Sequence, residues 1–236
     1  MRIWDVDPGY LNDRSLLGEH RELHGIYSIL LNGKKGYSRH PETLRWKSRL
    51  PALAARHDAL IAEMQLRGFS HRSPLGARNG VVVWPGAFIN PPGEQFAILR
   101  KKYEEKGPGR IPLPSAPQPL WAHHKYSVMA RSPGKYKDIG PEAAAGAIGF
   151  HELAEVLTEL LREKPASGCL RNALHHMWGY VKKFAEKPVD LDDSGAIFRA
   201  VVKLARRHRV LYLLHSTALG EFGRWLSGPD GDRSLP

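Results

Sequence analysis

The sequence predicts a mainly α-helical protein built from two helical parts. Three observations predict this fold class. Apolar residues recur at spacings of three and four along both halves of the chain, which is the periodicity of amphipathic helices. Five prolines fall within Pro108–Pro119, a composition typical of an extended linker between two parts. Hydrophobic residues make up 42% and charged residues 25% of the 236 positions, which is ordinary globular usage and argues against a disordered or fibrous chain.

Apolar spacing and punctuation by proline and glycine predict the individual elements. In the first half they are an extended stretch at 1–4, a turn at 7–9, a helix capped by Asp13 or Ser15 and ending at Asn32-Gly33, helices at 41–50 and 51–67, a short strand or buried extended piece at Val81–Trp84, and a helix at 94–106. In the second half, helices are expected at 151–164, 172–184 and 192–222, the last of them broken in two.

The proline cluster sets the predicted domain boundaries. A first domain is expected over residues 1–110 and a second over 120–228, joined by a proline-rich linker at 107–119.

Lys and Arg exceed Asp and Glu by 11 charges, and the isoelectric point is near 9.8. Such an excess of positive charge is typical of a protein that binds a polyanion, most simply nucleic acid. The alternative is a basic protein that has no polyanionic partner.

Several other classes are argued against. The single cysteine, Cys169, cannot form an internal disulfide or a four-cysteine zinc site. No apolar run reaches the ~18–20 residues of a membrane span, and the N-terminus lacks a signal-peptide pattern, so we expect a cytoplasmic, nucleoid-associated protein. Phosphate-loop, G-x-S-x-G and H-E-x-x-H motifs are absent. Among the histidines of the second half, adjacent His175 and His176 point about 100° apart on a helix, so we expect no metal site.

The first predicted helix carries a carboxylate between two glycines. Gly18, Glu22 and Gly25 fall on one stripe at spacings of four and three. Glycine costs about 1 kcal/mol relative to alanine inside a helix, which suggests that something approaches this stripe closely. It is either a ligand at Glu22 or a second helix packed on the glycines with Glu22 paired to an arginine. Spacing alone favours the packed helix.

The first third of the chain resembles a known family. The resemblance is carried by the N-terminal Arg-Ile, the helix segment Glu-x-Arg-Glu-Leu from Glu19 to Leu23, and the helix end from Leu60 to Phe69. Residues 1–73 resemble the pyrimidine-dimer DNA glycosylases of the phage endonuclease V type, and the resemblance continues more weakly to about residue 106. It implies an endonuclease V-like helical N-terminal domain, followed here by a second helical domain.

The resemblance also implies the chemistry. The nucleophile would be the α-amine of Met1, which the bulky second residue Arg2 should protect from removal, and the essential carboxylate would be Glu22, preceded by Arg21. The implied activity is excision of UV-induced pyrimidine dimers from duplex DNA, with abasic-site lyase activity through an imine and no cofactor. Family members have a histidine at the position of Ser15 and an arginine at that of Gly25, which leaves the lesion preference open.

Basic residues after the first helix are candidates for DNA contacts. Lys34, Lys35, Arg39 and Arg45 alternate with aromatic Tyr37 and Trp46, a mixture suited to phosphate and base contacts. Simple surface solubility is the alternative for each cation. Trp46 and Trp84 are both more typical of a core.

The second half resembles an uncharacterised bacterial helical domain family. The resemblance lies in residues 120–140 and in a helix with Asn, His and a Gly-Tyr-x-Lys run at 171–187. Asn172, His176 and Tyr180 share a helical face that either lines a pocket or forms a hydrogen-bonded core network, which is the favoured reading. Lys182 and Lys183 could join a basic surface for DNA.

Taken together, the basic composition and the resemblance imply a repair glycosylase and abasic-site lyase whose partner is double-stranded damaged DNA. Two alternatives remain open at this point. One is a lyase or glycosylase for another damaged or modified base, and the other is a non-catalytic nucleic-acid-binding module.

Overall fold

The computed structural model describes residues 1–76 and 80–226, and no strand occurs within those ranges. Proline or a small polar residue stands at the start of most of its helices, as expected from helix-capping preferences. The helices of the first part are a 3-10 turn at Pro8–Tyr10, α1 at Asp13–Asn32, α2 at Pro41–Arg45, α3 at Leu50–Leu66 and α4 at Pro92–Tyr103. Those of the second part are α5 at Pro117–Met129, α6 at Pro133–Ala145, α7 at Phe150–Arg162, α8 at Ser167–Val181, a 3-10 turn at Lys182–Phe184, α9 at Ser194–Arg207, α10 at Leu211–Leu214, α11 at Thr217–Glu221 and α12 at Gly223–Leu226. None of the described helices is long and apolar enough to cross a bilayer.

The N-cap of α1 lies one residue before Asp13, the first of its two expected caps. Asn12 has an extended backbone and its side chain accepts a hydrogen bond from the Ser15 amide, so Asn12 is the N-cap and both predicted caps lie inside the helix. At the other end Gly33 adopts a left-handed conformation, which glycine reaches at little steric cost. The expected end at Asn32-Gly33 is confirmed.

The prediction of a strand or buried piece at Val81–Trp84 is wrong. Val81, Val82 and Val83 are 82%, 47% and 53% exposed, and Trp84 alone packs against the core. The Trp84 carbonyl accepts a hydrogen bond from Arg49 at 2.8 Å. Because no described strand lies beside this segment, its backbone has no partner with which to form a ladder.

The proline-rich segment is packed against both parts. Ile111 is fully buried in an apolar cluster that includes residues from Ile3 to Leu160. The Arg110 guanidinium donates to both oxygens of Glu63 on α3, at 2.7 and 2.8 Å, and to the carbonyl of Ser216 at 3.1 Å. A second cluster lies mainly among α8, α9 and α11. The division into domains at 1–110 and 120–228 stays a prediction about folding units, and its last two positions lie outside the described residues.

The helical run expected at 192–222 is interrupted more often than predicted. Arg209 has a positive φ of 50° just after α9, and Ser216 caps α11 through the Ala218 amide. These two breaks turn the chain back so that α11 packs against α3 and α5. The first and second parts are thereby brought together.

Candidate active site at the N-terminus

Side chains from two helices hold the N-terminal segment in place through its backbone. The amide of Arg2 donates to the Glu22 carboxylate on α1, and the amide of Trp4 donates to Glu19 Oε1 at 3.2 Å. The amide of Asp5 donates to Gln95 Oε1 on α4 at 2.8 Å. The extended stretch expected at the N-terminus is therefore tied down, and Glu22 lies at the peptide bond that joins Met1 to Arg2.

A buried ion pair fixes the helix that presents Glu22. Glu19, one turn before Glu22, accepts from the Arg56 guanidinium on α3 at 2.7 and 3.0 Å. Arg56 also donates to the Val6 carbonyl at 3.0 Å. Such a pair is costly to break from one side, so it holds α1, α3 and the N-terminal segment in one arrangement.

Arg2 lies at the edge of this arrangement. Its guanidinium donates to Asn90 Oδ1 at 2.9 Å and lies 4.3 Å from the centre of the Trp4 ring. Burial lowers the pKa of Arg2 from its ordinary value, although a guanidinium remains charged at neutral pH. Lys102, also stacked over Trp4 at 5.8 Å, adds a second cation here. Neither Asn90 nor Lys102 was predicted, because only tertiary contacts bring α4 to the N-terminus.

The stripe around Glu22 is open. A Cβ added at Gly18 or at Gly25 would meet no atom within 4 Å among the described residues. The packed-helix reading of these glycines is therefore wrong. Glu22 is half-buried and its carboxylate is bonded to the Arg2 amide. The space beside it suits the approach of a ligand, as the other reading required.

Arg45 requires a correction among the predicted DNA contacts. Its side chain is only 6% exposed and donates to both oxygens of Asp5 at 2.8 and 3.0 Å. Its Nε also lies 3.1 Å from Glu42. A phosphate would have to displace two buried carboxylates to reach it, so Arg45 belongs to the frame of the site. Asp5 further accepts from Arg162 of α7 at 3.0 Å, which connects the second part to the N-terminal segment.

Apart from the half-buried Arg2, the other predicted DNA-binding cations are exposed. Arg21 projects from α1, and Lys34, Lys35 and Arg39 lie in the loop between α1 and α2. Within the described ranges no carboxylate forms an ion pair with any of the four, while Lys34 donates to Ser28 Oγ at 2.8 Å. Tyr37 in the same loop is 72% exposed. Trp46 is buried, as expected for a core residue.

The residues singled out in the second part are on the surface. Asn172, His176 and Tyr180 are all exposed on α8, so the core-network reading of this face is wrong. Tyr180 stacks on Tyr212 with ring centres 4.7 Å apart. The adjoining Lys182 and Lys183 are also exposed. This face is on α8, which packs mainly against α9 and α5, whereas Glu22 is on α1, which packs mainly against α3.

Four histidines of the first part converge although none was predicted to have a role. A ring nitrogen of His20, His24, His57 and His71 lies within 4.8 Å of each of the others. Burial, and then the neighbouring imidazoles, lower the pKa of His20 to about 4. The available sequence signal was the H-x-x-x-H spacing of His20 and His24, two imidazoles one helical turn apart. The expectation of no metal site had considered only the histidines of the second half.

Comparison with protein families assigns the two parts separately. Residues 1–76 match the family model of pyrimidine dimer DNA glycosylase. Residues 125–191 match a model described as a protein of unknown function (DUF1722). Both resemblances seen in the sequence are thus confirmed, the first over a shorter range than residue 106. No curated protein and no solved structure matches the chain.

Proposed function

We propose that the N-terminal part is a DNA glycosylase and abasic-site lyase that excises UV-induced pyrimidine dimers, with the α-amine of Met1 as nucleophile and Glu22 as its acid–base partner. The observation that carries the proposal is the hydrogen bond from the Arg2 amide to the Glu22 carboxylate. It places the carboxylate one peptide unit from the amine. The match of residues 1–76 to the pyrimidine dimer DNA glycosylase model supports the same reaction.

The two groups suffice for the first half of the reaction. The neutral form of an α-amine has a free lone pair and is a nucleophile. Its lone pair attacks C1′ of the damaged nucleotide and the bond from C1′ to the base breaks. Glu22 stabilises the positive charge that develops on the sugar and accepts the proton released by the amine.

The same covalent intermediate accounts for strand cleavage. After the sugar ring opens, the nitrogen and C1′ form an iminium, which withdraws electrons from C2′. A proton leaves C2′, the 3′ phosphate is expelled, and water hydrolyses the imine to release the protein. Each step uses the amine, a carboxylate and water only, so no cofactor is required.

Duplex DNA would be positioned by the half-buried Arg2 and by the exposed cations. Arg2 and Arg21 adjoin Glu22 and would orient phosphates at the lesion, while Lys34, Lys35 and Arg39 would contact the backbone farther along. The last residue of α1, Asn32, lies about 15 Å along the helix from Glu22 at 1.5 Å per residue, and Lys34 follows it by two residues. A base within a duplex must be extruded to reach the amine, which favours poorly stacked lesions. With such a substrate the protein would act in the cytoplasm at the nucleoid.

A double substitution Lys34→Ala with Lys35→Ala is expected to weaken binding to duplex DNA and to flatten its salt dependence. Each lost phosphate contact lowers the slope of log affinity against log salt by about 0.9, so the double variant should lose about 1.8 if both lysines bind phosphate. Fluorescence anisotropy over a salt series measures the slope. Lys137→Ala, an exposed lysine on α6, is the matched control. An unchanged slope in the double variant would remove these lysines from the interface.

Borohydride trapping on untagged protein tests the proposed function directly. Reduction of the imine fixes the protein to DNA, and peptide mapping of the adduct should place the bond on the nitrogen of Met1. Two duplexes are compared, one with a thymine dimer and one with an abasic site. An adduct with the dimer supports a dimer glycosylase.

The remaining outcomes separate the alternatives. An adduct with the abasic duplex alone supports the lyase reaction but indicates that the substrate is another damaged base. The glycine at position 25, where family members have an arginine, would then explain the changed lesion preference. No adduct with either duplex contradicts the reaction and favours a nucleic-acid-binding module.

A further inference from the structure

We infer that His20, His24, His57 and His71 form a binding site for one divalent metal ion of the zinc class, which fastens α1 to α3 and to the segment that follows α3. One ring nitrogen from each histidine lies within 4.8 Å of the other three. The four come from three separate places in the chain, since His20 and His24 are on α1, His57 is on α3 and His71 follows it. The inference does not depend on the proposed glycosylase activity.

The spacing of the rings fits a tetrahedral centre. Zinc binds imidazole nitrogen at 2.0–2.1 Å, so four such nitrogens would lie about 3.4 Å apart and their ring centres about 5 Å apart. The Nε2 atoms of His24 and His57 are 3.1 Å apart. Ring centres are 4.6 Å apart for His20 and His24, and 5.0–5.1 Å apart for four of the other pairs. Only small movements would complete the coordination.

The hydrogen-bonding state of the cluster independently points to a ligand. His20 is 8% exposed, and its Nε2 has no hydrogen-bond partner among the described residues. A buried polar atom of this kind is uncommon and calls for a partner. His57 is fully buried, with its Nε2 facing the like atom of His24. At this distance the two atoms share a hydrogen bond when one of them is protonated, and both can bind a cation when neither is.

The donor set selects the class of metal. Imidazole nitrogen suits zinc, copper, nickel and ferrous iron, whereas calcium and magnesium require oxygen ligands. The Asp58 Oδ1 lies just outside the cluster, 3.8 Å from His57 Nδ1, which is an ion-pair distance and longer than a hydrogen bond. Four protein ligands leave no open position, which is the arrangement of structural rather than catalytic zinc sites.

The site would fix the orientation of the helix that carries Glu22. His20 and His24 flank Glu22 by two residues on each side, so at 3.6 residues per turn Glu22 projects from the opposite side of α1. A metal on the histidine side prevents rotation of α1 against α3 and keeps the carboxylate turned toward the N-terminus. The ion would therefore position Glu22 without touching the substrate.

Elemental analysis of the full chain, purified without a histidine tag, tests the inference. We expect about one zinc-class ion per chain. Loss of a group outside the coordination shell lowers metal affinity roughly 10–100-fold, so His24→Ala, which removes a ligand, should lower it by at least that factor. His151→Gln, an exposed histidine on α7, is the matched control and should retain the ion. Metal retained equally by His24→Ala and wild type would overturn the assignment.

Titration of chelator-treated wild-type protein with Co²⁺ alone needs no variant. An intense visible absorption typical of tetrahedral Co²⁺ with nitrogen ligands, displaced by Zn²⁺, is the expected result. Since the ion binds only the folded state, chelation should also lower the Tm of wild type more than that of His24→Ala. Wild-type protein that contains no metal and gives no such spectrum would overturn the inference, and the cluster would then be a set of neutral, mutually packed imidazoles.

Discussion

Glu22→Gln is expected to slow base excision by roughly 10²–10⁴-fold, the usual contribution of a general acid–base group, while affinity for duplex DNA stays near that of wild type. Glutamine keeps the size of the side chain and an oxygen that can accept the Arg2 amide, so the N-terminal segment should remain in place. What is lost is the negative charge that stabilises the developing sugar cation and the capacity to take up a proton. Single-turnover excision on a dimer-containing duplex measures the effect.

The control for this substitution is Glu105→Gln. Glu105 is an exposed carboxylate just beyond α4, and its neutralisation changes the net charge by the same amount. Both variants should bind DNA with the same affinity, equal to or slightly higher than that of wild type, because each removes one negative charge. Excision by Glu22→Gln at the rate of the Glu105→Gln protein would contradict the assignment of Glu22.

A protein extended by one residue before Met1 is expected to lose imine formation. The Met1 nitrogen, which is one peptide unit from the amide that Glu22 binds, then becomes an amide itself and is no longer a nucleophile. The new amine begins about 3.8 Å farther along the chain. Because a displacement of 1 Å at a reacting atom can cost about 10²-fold, trapping should fall by at least that factor. The yield of borohydride adduct with an abasic duplex is the measurement.

The same residue added after Pro236 provides the comparison. It leaves the Met1 amine as it is, so trapping should equal that of the unextended chain. DNA affinity should be alike in all three proteins, since the added residue carries no charge. Full trapping by the N-terminally extended protein would mean that another amine, such as a lysine, forms the imine.

The two functional predictions depend on different kinds of sequence information. The C-terminal end of α1 followed from apolar spacing that stops at Asn-Gly, which is a local signal. The choice of Met1, Arg2 and Glu22 rested on the family resemblance, because nothing in the spacing of residues 1 and 22 says that they meet. The hydrogen bond from the Arg2 amide to Glu22 supplies the proximity that the resemblance implied.

Predictions that depended on the surroundings of a residue were less successful. Arg45 has the same local signature as Lys34 and Lys35, a cation beside an aromatic residue, yet it is paired with Asp5 from 40 residues away. The valines at 81–83 have the composition of a strand, but a strand requires a partner, and no described segment provides one. In both cases the outcome was decided by residues distant in the sequence.

The sequence by itself determined the mainly helical class, the C-terminal end of α1, the basic character of the chain and, through resemblance, the residues proposed for the reaction. Only the tertiary structure decided which cations remain available to DNA, how Ile111 and Arg110 join the two parts, and that four histidines meet. Helical periodicity arises from hydrogen bonds between residues four positions apart, so it is written locally. Charge pairing, burial and metal-ligand geometry arise between residues that packing brings together. The spacing of residues along the chain does not show which distant residues will meet.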